Sequence, residues 1–105
     1  MNAPAATILR LPAIVTHARA KACAKALREA LRLSQGAPVV RVDAGALQHF
    51  DSSVLAVLLD CRRDVAAMGW QFEVDRLPER LRQLAALYGV AELMPASASG
   101  APVAA

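Results

Sequence analysis

Val39-Val40-Arg41-Val42-Asp43, followed after a short linker by Phe50-Asp51-Ser52-Ser53-Val54-Leu55-Ala56-Val57-Leu58-Leu59, is the stretch that decides the fold of this chain. The first segment is rich in β-branched residues and alternates apolar with charged from Val40 onward, which predicts a strand. The second opens on Asp and Ser, whose side-chain oxygens accept hydrogen bonds from the free N–H groups of a helix start. The apolar run 54–59 then leads into Asp60-Cys61-Arg62-Arg63 and predicts a helix to about Met68, ended by Gly69. Trp70-Gln71-Phe72-Glu73-Val74 alternates as the next strand. Strand, helix and strand at these lengths form a βαβ unit.

The same alternation extends outward. Thr7-Ile8-Leu9-Arg10-Leu11 predicts a first strand closed by Pro12, and residues 13–15 a second short extended piece. Thr16 is placed to cap a helix running to about Leu33, with Gly36 and Pro38 as its stop. Cys23, Leu27, Ala30 and Leu31 share one face of that helix, and Lys21, Lys25, Arg28 and Arg32 share another. Residues 44–50 read as a linker. Pro78 suits the first turn of a third helix, with Leu81, Leu84, Leu87 and Tyr88 as its buried stripe and Gly89 as its terminator. Residues 1–6 are expected to be a flexible lead-in. PASASGAPVAA, 95–105, is expected to be a disordered tail. The predicted fold class is α/β, one domain spanning 7–94.

Composition narrows the function. Of 105 residues 56% are hydrophobic but only 4% aromatic, so the core is aliphatic and the body is not a disordered segment. No apolar run approaches the roughly 18–20 residues of a membrane span, and the N-terminus does not read as a signal peptide, so a cytoplasmic location is expected. Cys23 and Cys61 have no CxxC spacing and are expected to be reduced, buried thiols. His17 and His49 are too few and too scattered for a zinc site, so no metal is expected. A net charge of +3 without interleaved aromatics does not call for nucleic acid. No Gly-rich phosphate loop is present and no cofactor is expected. His49 precedes Asp51 and Ser52, but no oxyanion motif accompanies them. No catalytic residue is assigned, and the chain is not read as an enzyme.

Two questions about the second helix stay open at this stage. Asp51 or Ser52 is either a simple cap or, at a helix N-terminus, a position suited to a phosphorylated serine. The apolar run also covers two sides of the helix: Leu55, Leu58 and Leu59 lie together, while Val54, Val57 and Cys61 lie on another side. One side packs on the sheet, and the other contacts either a neighbouring helix or a partner.

A strand ending in an acid, a DSS start to a Leu-rich helix, Arg62-Arg63, a Gly-aromatic strand and LPERLRQLAALYGV (77–90) together resemble the STAS family across residues 7–94. The resemblance implies a small mixed β-sheet with helices packed mainly on one face, as in the anti-sigma factor antagonists. In that family the residue after the Asp of the DSS motif is the phosphorylatable or partner-critical hydroxyl, which is Ser52 here. The antagonist branch reads DSSG, and this chain carries Val54 at the glycine position. The DSS-x-LAVLL-x-CRR run and the ending LRxLAxLYGVxxLM are more similar to the MlaB-type subunit. This resemblance implies an accessory subunit that binds the ATPase of a phospholipid-transporting ABC complex, at the inner face of the inner membrane and without a span of its own. The implied partner interface is Ser52 with Asp51, Ser53, Val54, Val57, Cys61 and Arg62. The alternative is an anti-sigma factor antagonist controlled by phosphorylation of Ser52.

Overall fold

The computed structural model describes residues 6–34 and 38–96. The expected flexible ends, 1–6 and 95–105, lie outside the described residues except for Ala6, Pro95 and Ala96, as does the expected stop at Gly36. The elements run β1 (Thr7–Arg10), β2 (Ile14–Val15), α1 (His17–Arg32), β3 (Val39–Asp43), β4 (His49–Phe50), α2 (Ser53–Ala67), β5 (Gln71–Asp75) and α3 (Glu79–Leu87). A short 3-10 turn, Ala91–Leu93, follows.

The main sheet has the order β1-β3-β5, with β3 central. Thr7 stands opposite Val40, and Val40 opposite Phe72. A second, two-stranded sheet pairs β2 with β4. The α/β class holds, and among the described residues every pairing is parallel, where a mixed sheet was expected. The physical reason is connectivity: each main-sheet strand is joined to the next through a helix, and a helical crossover returns the chain in the same direction. The small β2–β4 sheet lies partly in the segment read as a linker, because two-residue strands leave no periodicity to detect.

Alternation along the strands divides the sheet into two faces. Leu9, Val40, Val42, Phe72 and Val74 are buried in one core with Cys23, Leu27 and Leu31 of α1 and Leu55, Leu58 and Val65 of α2. The other face carries Ile8, Arg10, Arg41, Asp43, Glu73 and Asp75. There Arg41 pairs with Glu73 at 3.0 Å, and Arg76 pairs with Asp43 at 2.6 Å. Gly69 and Gly89, both at positive φ, end α2 and α3 with the same closure. Their N–H groups reach the carbonyls of Ala66 and Ala86, and those of Trp70 and Val90 reach Val65 and Ala85.

In α3 the core takes Leu81 and Ala85, and Leu84 is half-buried, whereas Leu87 and Tyr88 are 76% and 58% exposed. The expected stripe is therefore corrected at its C-terminal end. At about 100° per residue Leu87 points roughly 120° away from Leu81, and Tyr88 lies beyond the last turn that the body covers.

Candidate functional site

Asp51 sits where β4 ends and α2 begins, and its carboxylate joins two helix starts. One oxygen accepts the backbone N–H of His17, the first residue of α1, at 2.9 Å. The other accepts the N–H of Ser53 at 2.9 Å and also the Ser53 hydroxyl. The Ser53 hydroxyl, followed by the His17 and Ser53 N–H groups, holds the Asp51 carboxyl below the usual carboxylate range. Capping therefore belongs to Asp51. Ser52 precedes the helix with helical backbone angles (φ −65°, ψ −11°) and makes no side-chain capping bond. Its residue is exposed, so the hydroxyl stands open at the surface at the start of α2, whose first N–H groups, those of Ser53, Val54 and Leu55, are already bonded to Asp51 and to the Ser52 carbonyl.

The other residues expected around Ser52 divide. Val54, Val57 and Cys61 are 0%, 3% and 5% exposed, so this side of α2 is core and not a partner surface. The correction has a clear cause. α2 lies beside α1, with Arg28 of α1 reaching Asp60 at 2.8 Å and Asp64 at 3.3 Å of α2, so the second apolar side is covered from within the chain. Arg62 is half-buried and lies ten residues beyond Ser52, about 15 Å further along the helix. The structure does not bring it to the Ser52 surface.

The structure brings α3 there instead. Phe50, Asp51 and Ser52 line a hollow of about 250 Å³ together with Arg80, Leu81, Leu84 and Tyr88. Arg80 and Tyr88 were missed because their approach to Ser52 depends on how α3 docks beside α2. Two sequence signals point at them: a tyrosine just past the last helical turn, and an arginine in a first turn where cations are disfavoured.

The sequence that builds this framework matches a known family. The family model described as "Mlab, STAS domain" covers residues 2–95. The chain belongs to that family. No curated protein matches the sequence.

Other chemistry in this STAS domain is confined. Cys23 and Cys61 are free and buried, and the Cys61 thiol is pushed up to about 12, first by burial and then by the Asp64 and Asp60 carboxylates. Neither cysteine is poised as a nucleophile. Among the described residues no group of three or more His, Cys, Asp or Glu is arranged to hold a metal ion. Among them, too, no helix is long and apolar enough to cross a membrane. The larger groove, about 1150 Å³, runs between the polar face of the sheet and α3. Its charges are mutually paired, Arg76 with Asp43 and Arg41 with Glu73 and Asp75.

Proposed function

We propose that this chain is a non-catalytic accessory subunit that binds the ATPase of an Mla-type phospholipid ABC transporter and supports or regulates it. In this reading it sits at the cytoplasmic face of the inner membrane through the complex and contributes to outer-membrane lipid asymmetry. The observation that carries the proposal is the open Ser52 hydroxyl. Asp51 performs the capping, so Ser52 is free to meet a partner, at the rim of a hollow that also exposes Tyr88. Membership of the MlaB-type family supports the choice of partner. Nucleotide chemistry belongs to that partner. The test is co-purification of the full chain with the transporter ATPase, comparing wild type with Ser52→Arg. Retention of the wild type and loss of a folded Ser52→Arg is the expected result; equal retention of both assigns docking to another surface.

A second reading, an antagonist switched by phosphorylation of Ser52, draws on the same exposure. Val54 points into the core, so the residue at the DSSG glycine position does not crowd the Ser52 hydroxyl. Phosphate on Ser52 detected by mass spectrometry of the chain isolated from its native cells would favour this reading.

A further inference from the structure

We infer that the hollow between the start of α2 and α3 receives a partner-protein segment in which a carboxylate adjoins an apolar side chain, with Arg80 meeting the carboxylate. The inference rests on the docking reading above and names the chemistry of the partner. Arg80 is the second residue of α3, where the helix dipole and free N–H groups favour an anion over a cation. Its neighbours are committed elsewhere: Arg76 to Asp43 at 2.6 Å, and Arg82 to Glu79 at 4.0 Å. Glu79 and Arg82 line the other groove and not this hollow. The one carboxylate in the hollow, Asp51, is occupied by His17 and Ser53. Arg80 is thus left without an ion pair among the described residues, beside a hollow walled by Phe50, Leu84 and the 58% exposed Tyr88.

Arg and Tyr are residue types that dominate binding energy at protein interfaces, and here they stand at a hollow of mixed lining whose apolar walls are Phe50, Leu81 and Leu84. An acidic residue would complement Arg80, and its apolar neighbour would fill the space between Leu84 and Tyr88. A single cation at a concave site suits a protein segment better than an anionic bilayer, which is held by clusters of basic residues.

The experiment measures Kd of the full chain for the purified transporter ATPase at two salt concentrations, for wild type, Ser52→Arg, Arg80→Lys, Arg80→Glu and Tyr88→Ala. Arg80→Glu is expected to weaken binding by about tenfold or more and to reduce its salt dependence, with Arg80→Lys losing less. Its Tm should hold or rise, since glutamate suits a helix N-terminus. Tyr88→Ala should weaken binding without changing the salt dependence. If Ser52→Arg abolishes binding while Arg80→Glu stays within about twofold of wild type, the acidic-segment inference is overturned and docking at Ser52 stands. Absence of wild-type binding overturns both. Retention of ATPase binding by Arg80→Glu, together with loss of its binding to phosphatidylglycerol vesicles, would reassign Arg80 to the membrane and overturn the inference.

Discussion

The carboxylate of Asp51 holds the backbone N–H of His17 at 2.9 Å, tying the start of α1 to the start of α2 across 34 positions of sequence. The same side chain takes the Ser53 N–H at 2.9 Å, so one residue caps both helices. Asp51→Ala is expected to lower Tm by several degrees, and to accelerate amide hydrogen exchange at both His17 and Ser53. Faster exchange at Ser53 alone would show that the link to α1 contributes nothing.

Asp43 and Asp51 also set the acid response. The Arg76 guanidinium lowers the pKa of Asp43 first, with the Gly45 N–H assisting, and the Ser53 hydroxyl leads the same effect at Asp51. Each group binds its proton more weakly folded than unfolded, so the unfolded chain takes up more protons as the pH falls. The stability they contribute is complete well above the unfolded value of about 3.9 and is lost as the pH drops through it toward the lower folded values. Denaturant midpoints measured from pH 6 to pH 3 should fall, and Asp43→Asn with Asp51→Asn should flatten the decline.

Val54→Asp and Val57→Lys test the assignment of that side of α2 to the core. Both side chains are almost fully buried, and an unpaired charge there costs several kcal/mol against a typical domain stability of about 5–15. Circular dichroism of the isolated variants should show loss of the folded state before any partner is added. Two folded variants would return this side to the surface.

Ser52 separates stability from docking. Because it makes no capping bond, Ser52→Ala should stay within about 0.5 kcal/mol of wild type in denaturant unfolding. Weakened ATPase binding by this stable variant would mark the hydroxyl as a contact. A large loss of stability would make Ser52 a structural cap after all.

The thiols offer an independent probe of the α1–α2 packing. With its pKa near 12 and its side chain buried, Cys61 holds a negligible thiolate population at neutral pH. Alkylation by iodoacetamide at pH 8 should be slow in the native chain and should follow the unfolding rate as denaturant is added. Rapid native-state labelling would mean that the two helices separate readily.

Much of the framework was legible locally. Alternation at 39–43 and 70–74 marks strands that the structure places at 39–43 and 71–75, and Gly69 and Gly89 mark helix ends that need positive φ. Of the expected covered face of α1, Cys23, Leu27 and Leu31 are buried while Ala30 is exposed. Each signal belongs to a short segment whose own backbone and side chains enforce it. The DSS start to α2 was legible too, although the division of labour within it was not. Which oxygen caps depends on backbone angles and on His17 arriving from another helix.

The sequence by itself determined the order of strands and helices along the chain and a serine standing at a helix start, since periodicity and turn chemistry act over a few residues. Only the tertiary structure decided that the described strand pairings are all parallel, that Val57 and Cys61 are buried with α1 lying beside α2, and that Arg80 and Tyr88 stand beside Ser52. The reason is that an apolar helix side carries no mark of whether its cover comes from the same chain or another. That is set by which elements long-range packing brings together.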